Sequence, residues 1–564
     1  MTEESPSFAL SALPPSQLVS QDHAPPIPSP LNPFPDPPLK SNKPKPPPRD
    51  REPRERKESQ KKRESTFGGK EAASTVPAKR KASHINGTSV PSPVRYAIAP
   101  PPGDFAAPRP TTFSSHEPFP FLTPDGEIEL KKPMDRAANA RNYKYIECIA
   151  DPLFSYKGYY RATDTTPYGP RMSFEDADKW IHFDEGGRFV TNEKGWRSAR
   201  ANVCVREGSA YFEVKVVRGV KQDEEGAGDG PQPRVRFGWA RREAPLDSPV
   251  GYDGFGYGIT DKRFETIYRS RGGKFWNERK GAKKAGKAEK EWIEDREDVR
   301  EGDVIGLEIN LPSLNLHRKV ADGIYNPAVD LGDGFGNSPA RVEPDEKPHD
   351  IIRDRTPINY KGRLFFELND YYNEAPVMRA YNDRTLSLAN LGSPVQIPGA
   401  NTTIKSAPNA NHPEPSLRTL PHSSIKVYRN GQLVGTAFDS LLAFLPPASI
   451  PNKAIGAREG FDDGMLGYFP MISCFSGGIA EVNFGEKGFW APPMHLRPMG
   501  SSGTPGNALR PLGERFKEQI AEDVLYDIID EVDFFMQDGG FGGRVGAGGM
   551  ETKKGNVGLK EEVD

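Results

Sequence analysis

The residues whose types and spacing best suit chemistry lie between positions 236 and 252, and that chemistry is binding of an acidic peptide. Arg236 lies on a short alternating run, and Pro249 and Tyr252 follow in a loop of glycines and aromatics. An arginine can bind a carboxylate with two parallel hydrogen bonds, and a tyrosine ring can wall a pocket. The alternative is that Arg236 pairs with an internal acid and Tyr252 packs within its loop. Trp239 is expected in the core.

Sequence signatures of catalysis and metal binding are missing. The chain has no Walker A sequence, no strand-linked G-x-G-x-x-G, no G-x-S-x-G and no H-E-x-x-H. Its three cysteines, Cys148, Cys204 and Cys474, are too few and too scattered for a zinc site or a disulfide framework. We therefore expect no catalytic residue, no metal and no cofactor, and a reducing compartment.

Composition separates a folded middle from two unlike ends. The chain of 564 residues contains 57 prolines and 56 glycines, which is typical of a protein with long unstructured segments. Residues 1–110 are predicted to be a disordered proline-rich and basic tail, and residues 539–564 a disordered glycine-rich one. No apolar run approaches the length that crosses a bilayer, so no membrane partner is expected.

Two groups of basic residues lie in the N-terminal tail. They are Lys61, Lys62 and Arg63, followed by Lys79, Arg80 and Lys81. Such groups are typical of a nuclear import signal or of phosphate contacts with DNA, and a solvated charged linker has the same composition. No aromatic residues interleave with them to stack on bases, which disfavours the DNA interpretation.

The elements that must position these residues are strands. From about residue 137, short alternating runs bounded by glycine, proline or asparagine predict strands at 201–205, 210–217, 233–240, 303–311, 363–368, 425–428, 432–438, 469–475 and 480–484. With no helical pattern between them, they predict a mainly β fold, a sandwich of two antiparallel sheets. Asn430-Gly431 predicts a type I′ hairpin turn. Stretches 271–299, 321–361 and 382–421 are predicted to be long loop insertions.

One amphipathic helix is predicted at residues 514–538, after a linker at 501–513. Its apolar stripe includes Ile520, Val524, Leu525, Ile528 and Val532, with acidic residues on the other face. An isolated helix is marginally stable in water. The helix therefore either folds back on the sandwich or docks on another protein, and the flexible linker favours docking.

Several motifs resemble a SPRY domain. They are Arg236-Phe237-Gly238-Trp239, Pro249-Val250-Gly251-Tyr252, residues 302–306, residues 428–431 and residues 482–485. Residues 192–196, which end at Trp196, and residues 521–526 and 531–533 narrow the resemblance to the Ash-two/Bre-two subunits of COMPASS-type histone methyltransferase complexes, in the fungal Bre-two form. The resemblance covers about residues 135 to 540, discontinuously. It implies a SPRY domain at 171–500 and a preceding segment at 111–170.

The resemblance also implies partners and roles. In that family the SPRY domain binds an acidic segment of a β-propeller subunit, and the tail helix docks on a dimer of a small Dpy-thirty-type subunit. The assembly stimulates a SET-domain enzyme that methylates lysine four of histone H-three, which implies a nuclear, non-catalytic scaffold. The peptide pocket would use Trp196, Arg236, Pro249 and Tyr252. The dimer would dock on Ile520, Val524, Leu525, Ile528 and Val532.

The chain departs from the animal pattern of that family at two positions of the implied pocket. The animal pattern has a tyrosine where Trp196 stands and an arginine at the position of Thr260. Arg263, Arg269 or Arg271 are candidates to replace that arginine. Two rival functions remain open: a SPRY adaptor of a ubiquitin ligase, which needs a RING, B-box or SOCS-type element not visible here, and a nucleic-acid-binding protein acting through the basic groups.

Overall fold

A computed structural model of the chain provides the fold. It describes residues 100–134, 144–154, 160–220, 231–274, 298–335, 357–368, 375–383, 395–396, 403–404, 407–449, 462, 464–493, 510–537 and 560–561. The two basic groups, residues 1–99 of the predicted N-terminal tail and residues 501–509 of the predicted linker lie outside the described residues. Within that predicted tail, Pro102–Phe105 is a 3-10 helix, and Asp104 accepts a hydrogen bond from the Tyr160 hydroxyl at 2.7 Å.

Strands dominate the described residues. Before the sandwich the strands are β1 Phe113–Ser114, β2 Phe121–Leu122, β3 Glu129–Leu130, β4 Lys132–Pro133, β5 Lys144–Ala150 and β6 Tyr160–Ala162. The next are β7 Met172–Ala177, β8 Ile181–Phe183, β9 Phe189–Asn192, β10 Trp196–Ala201, β11 Gly208–Arg218, β12 Arg234–Arg241, β13 Gly256–Thr260, β14 Thr266–Tyr268, β15 Arg271–Gly273 and β16 Val304–Leu311. The last are β17 Pro357–Tyr360, β18 Arg363–Leu368, β19 Val395–Gln396, β20 Thr403–Ile404, β21 Ser424–Arg429, β22 Gln432–Asp439, β23 Tyr468–Phe475, β24 Ile479–Asn483 and β25 Lys560–Glu561.

Two seven-stranded antiparallel sheets form the expected sandwich, which is confirmed. One sheet has the order β15-β14-β13-β12-β23-β10-β7 and the other the order β22-β21-β16-β11-β24-β9-β8. Alternate residues of each strand point into the space between the sheets. Phe212 of one sheet and Trp239 of the other meet there edge to face, with ring centroids 4.9 Å apart. Trp239 is fully buried, so its predicted place in the core is also confirmed.

The predicted hairpin at Asn430-Gly431 is confirmed. β21 pairs with β22 around it, with Arg429 opposite Gln432. Asn430 and Gly431 have φ angles of 50° and 79°, which are the positive values that a type I′ turn requires at both central residues. This turn fixes the edge of the second sheet.

Two helices lie between the strands, so the expectation that none would is wrong. They are α1 Leu314–Asp322 and α2 Pro376–Asn382. Ser313 caps α1 by accepting a hydrogen bond from the Leu316 backbone at 3.2 Å, and Val320 is fully buried. Each helix has fewer than three turns, too short for its apolar spacing to stand out in the sequence. The strand predicted at 201–205 is also wrong, because β10 ends at Ala201 and Val205 forms an isolated bridge with Tyr468.

A five-stranded sheet with the order β25-β17-β18-β5-β6 is separate in its backbone pairing from the two large sheets, and Ile146 of β5 packs against the sandwich core. β17 lies inside the stretch predicted as the second insertion, and Leu417 and Leu420 of the third are fully buried. The C-terminal helix α3 runs from Leu512 to Gln537, beginning two residues before the predicted start. Its first residue, Leu512, is buried in the sandwich core.

Candidate peptide-binding site

Arg236 and Trp196 meet on the outer face of the first sheet. β12 places Arg236 opposite Ser473 of β23, and β10 places Trp196 opposite Phe475 of the same strand. The Arg236 Cζ atom lies 4.4 Å from the centroid of the Trp196 ring, and that ring lies 5.3 Å from the Phe475 ring. A guanidinium at this distance from an indole face is attracted by the electrons of the ring. The tertiary structure therefore brings together two of the four predicted pocket residues.

Arg236 is a partly buried cation that no described carboxylate contacts by a hydrogen bond or ion pair. Burial lowers the pKa of its guanidinium to about 10, Asp261 opposes that shift, and Arg234 adds to it. Among the described residues no carboxylate forms an ion pair or hydrogen bond with Arg236. Asp261 instead accepts hydrogen bonds from the backbone of Val235 at 2.8 Å and of Lys262 at 2.7 Å. The alternative of an internal ion pair is therefore not found in the part of the chain described.

Hydrogen bonds to two serine side chains hold the loop that contains Pro249 beside Arg236. Ser198 and Ser473 are opposite each other on the sheet, and their hydroxyl oxygens lie 2.8 Å apart. The Ser198 hydroxyl donates to the Ser248 carbonyl at 2.7 Å, and the Val250 backbone donates to the Ser473 hydroxyl at 2.8 Å. Since Ser473 is also the sheet partner of Arg236, the loop at Pro249 lies next to the guanidinium on the outer face.

Tyr252 lies further along the same loop. Gly251 has a φ of 79°, and a Cβ atom there would lie 2.2 Å from the Ile267 carbonyl oxygen, so only glycine fits this approach. The Ser270 hydroxyl then donates to the Tyr252 carbonyl at 2.8 Å. The Tyr252 side chain is 47% exposed. About half of its surface is therefore accessible to solvent, on a loop whose backbone is fixed.

None of the three arginines considered as replacements at Thr260 contacts Arg236 or Trp196. Arg269 is buried, with its Cζ atom 4.0 Å from the centroid of the Tyr381 ring. Arg263 and Arg271 are exposed. Thr260 lies opposite Arg236 in the sheet and donates its hydroxyl to the Lys262 carbonyl at 2.7 Å.

Sequence reasoning missed Arg234, which lies two residues before Arg236 on β12. Phe475, its partner across the sheet, supports the Trp196 ring. The signal was present in the strand alternation, because residues two apart on a strand share a face. Arg234 is therefore the second cation on the face that carries Arg236.

The first turns of α3 fold back on the sandwich. Leu512 is fully buried and Phe516 packs against the same core. Gln519 accepts a hydrogen bond from the Cys204 backbone at 3.2 Å and donates one to the Asn202 carbonyl at 3.3 Å. Arg515 donates to the Cys204 carbonyl at 3.4 Å. These contacts fix the direction in which the rest of the helix leaves the sandwich.

The later turns of α3 present apolar side chains to solvent. Leu525 is 52% exposed and Val532 is 55% exposed, and Ile520, Ile528 and Ile529 are also exposed, while Val524 is partly buried. At about 100° per residue, Ile528 lies roughly 180° around the helix axis from Gln519. The exposed apolar stripe therefore faces away from the face that contacts the sandwich, and that contact face extends to Tyr526, which is partly buried.

A cavity of 380 Å³ lies where α3 meets β5, β6 and β7, and Ile520 is one of its lining residues. Four of its acidic side chains form ion pairs with arginines. The ion pairs are Glu147 with Arg363, Asp164 with Arg171, Asp176 with Arg200 and Glu522 with Arg515. These four carboxylates are compensated within the chain, in contrast to the guanidinium of Arg236.

No helix within the described residues is both long enough and apolar enough to cross a membrane. In the same part of the chain, no cluster of three or more histidine, cysteine, aspartate or glutamate side chains is arranged to hold a metal ion.

Known proteins resemble this chain over most of its length. It is 44% identical over 504 residues to the COMPASS component cclA of Colletotrichum higginsianum, covering 84% of this chain and 82% of that protein. It is 39% identical to the COMPASS component cclA of Aspergillus fumigatus, covering 75% of this chain and 65% of that protein. It is 22% identical to the Set1/Ash2 histone methyltransferase complex subunit ASH2 of Drosophila melanogaster, covering 70% of this chain and 51% of that protein.

No protein-family model matches the chain. A crystal structure of a human SPRY domain matches 54% of this chain and 95% of that one, at 11% identity. Its TM-score of 0.22 is too low to support a statement about the fold.

Proposed function

Because this chain belongs to the family of the fungal COMPASS component cclA, we propose that it is a non-catalytic scaffold subunit of a nuclear histone-lysine methyltransferase complex. The names of its relatives support the complex, since two are COMPASS components and a third is a subunit of a histone methyltransferase complex. The methylated residue would be lysine four of histone H-three. A SET-domain subunit would supply the chemistry.

The pocket at Arg236 would bind an acidic segment of the β-propeller subunit. The single observation that supports this most strongly is the partly buried Arg236, stacked on Trp196 and without an acidic partner among the described residues. Partial burial removes water from the guanidinium, which favours a ligand that restores a full set of charge-assisted hydrogen bonds. Pro249 and Tyr252 would flank the bound segment.

The exposed stripe of α3 would hold a dimer of the Dpy-thirty-type subunit. The supporting observation is that Leu525, Ile528 and Val532 are exposed while Leu512 of the same helix is buried. An exposed apolar helix face of this length suits docking in a groove between two partner helices. The two docking points lie on separate elements, so one chain could hold two partners at once.

Such a scaffold would act on conformational populations. By binding the propeller subunit and the small dimer, the chain would favour the arrangement in which the SET-domain subunit is active. The basic groups at 61–63 and 79–81 would direct nuclear import or contact nucleosomal DNA.

The pocket is tested by titration calorimetry of the intact chain with an acidic peptide from the propeller subunit. Arg236→Ala is expected to weaken binding by about 1–3 kcal/mol, as loss of a charge-assisted hydrogen-bonded pair does. Arg188→Ala is a matched control, because Arg188 is an exposed arginine directly before β9 of the other large sheet. Equal affinity of the Arg236→Ala variant and the unaltered chain would show that the pocket lies elsewhere.

The assembly is tested by affinity purification of the tagged chain from fungal nuclei. Recovery of a SET-domain protein, a β-propeller protein and a small dimeric protein is the expected result. Recovery of ubiquitin-ligase subunits in their place would overturn the proposal.

A further inference from the structure

We propose that Arg234 is a second carboxylate-binding residue of the Arg236 pocket. The pocket therefore selects extended peptides in which two acidic residues are separated by one residue. The inference rests on the proposed function of the Arg236 pocket as a site for an acidic segment. It adds Arg234 to the pocket and defines the spacing between the acidic residues of the peptide.

Arg234 and Arg236 form a pair of cations on one face of β12. The strand runs without a bulge against β23, with Arg234 opposite Phe475 and Arg236 opposite Ser473. Val235, between them, is fully buried in the core, so the two arginines share the outer face. Residues two apart on a strand are separated by about 6.6 Å.

Neither guanidinium has an acidic partner in the described part of the chain. No hydrogen bond or ion pair within those ranges involves the side chain of Arg234 or that of Arg236. The charge of Arg234 contributes to the lowered pKa of Arg236, which means that the two cations repel each other. A ligand with two negative charges would relieve that repulsion, and a ligand with one would relieve it only in part.

Asp261 does not neutralise the pair. Burial raises the pKa of its carboxyl group to about 6, and both arginines lower it. Both of its oxygens are used by the backbone, Oδ2 by Val235 and Oδ1 by Lys262. Among the described residues, Asp261 is the acid whose charge acts on both arginines, and one carboxylate does not balance two guanidinium groups.

The surroundings hold the two arginines in place. Gly478 packs so closely on the backbone of Arg234 that a Cβ atom there would lie 2.1 Å from the Arg234 carbonyl oxygen. Phe475 lies between Arg234 and the Trp196 ring, and Trp196 stacks on Arg236. The aromatic pair therefore lies on the same face of the sheet as both arginines.

An extended peptide has the same repeat as the strand beneath it. Side chains two apart on an extended peptide point to one side and are separated by about 6.6 Å, whereas adjacent side chains point to opposite sides. Glutamates with one residue between them can each meet one arginine. Adjacent glutamates can place only one carboxylate on the pair while the peptide stays extended.

The test uses short serine-glycine peptides with two glutamates, placed either with one residue between them or side by side. Binding to the intact chain is measured by fluorescence anisotropy for the unaltered protein and for Arg234→Gln, Arg234→Lys, Arg236→Gln and Arg188→Gln. Thermal melting of each variant shows that it is folded. Arg188→Gln is the matched control, at an exposed arginine directly before β9 of the other large sheet.

The alternating peptide is expected to bind the unaltered chain about tenfold more tightly than the adjacent one, the gain expected from one additional charge-assisted pair. Arg234→Gln removes this preference, Arg234→Lys keeps part of it, and Arg188→Gln leaves it unchanged. Equal binding of both peptides to the unaltered chain, with Arg236→Gln still weakening both, would overturn the inference and leave the pocket standing. Binding that is insensitive to Arg236→Gln would overturn the pocket as well.

Discussion

Replacement of Leu525 by glutamate tests whether the exposed stripe of α3 docks a partner, as proposed, or stabilises the chain itself. Leu525 is 52% exposed, so about half of its side-chain surface remains to be covered by a partner. Burying a whole leucine side chain contributes about 1.5–3 kcal/mol, and half of one about 1 kcal/mol. A carboxylate in the same place adds a desolvation cost of several kcal/mol. Leu525→Glu is therefore expected to weaken docking by at least about 3 kcal/mol, or more than about 100-fold.

The same change should leave the isolated chain almost as stable as before. Exposed substitutions usually alter the free energy of unfolding by no more than about 0.5 kcal/mol. The matched change on the other side of the helix is Leu512→Ala, because Leu512 is fully buried in the core. That substitution should cost about 2–5 kcal/mol of unfolding free energy.

The assay pairs calorimetric titration of the small dimeric subunit with thermal melting of the chain alone. Leu525→Glu is expected to abolish measurable binding without lowering the melting temperature, and Leu512→Ala is expected to lower the melting temperature. If Leu525→Glu melts as early as Leu512→Ala, the stripe is internal packing. If it binds the dimer with unchanged affinity, the partner docks elsewhere.

Two further predictions concern the pocket. Trp196→Leu should weaken binding of the acidic peptide by about 0.5–2 kcal/mol, because it removes the ring over Arg236, while Trp196→Tyr should keep most of the affinity in the same titration. The pKa of the Asp261 carboxyl is raised to about 6 by burial, so the group loses its negative charge as the pH falls through 6. Binding of a glutamate peptide, whose own carboxyls ionise near pH 4.3, should therefore tighten between pH 7.5 and about 5.5. Titrations in that range should show no tightening for the Asp261→Asn variant. Equal tightening in the variant and the unaltered chain would assign the pH dependence to another group.

Local patterns predicted most of the strands. Alternation along β12 marks Val235, Phe237 and Trp239 as inward residues, and all three are buried. Eight of the nine predicted strands coincide with strands of the structure over most of their length, because alternation is a property of each strand alone. The helices α1 and α2 were not predicted, because a helix of fewer than three turns shows too little apolar periodicity in its sequence.

The pocket depended on contacts between distant parts of the chain. Trp196 and Arg236 are both adjacent to β23, whose Ser473 and Phe475 follow them by more than two hundred residues. The register of that pairing decides which side chains meet, since a slip of one residue would turn them to the other face. No local pattern encodes this register, which explains why the role of Phe475 was missed.

The sequence by itself determined which residues alternate, where the hairpin turns and which side chains of α3 form an apolar stripe, because each of these depends on neighbours within a few positions. Only the tertiary structure decided that Gln519 faces the sandwich while Ile528 faces solvent. It also placed Arg234 and Arg236 on one face of β12, with no carboxylate bonded to either side chain in the ranges that the structure describes. The reason is physical: burial and charge compensation depend on which distant surfaces meet.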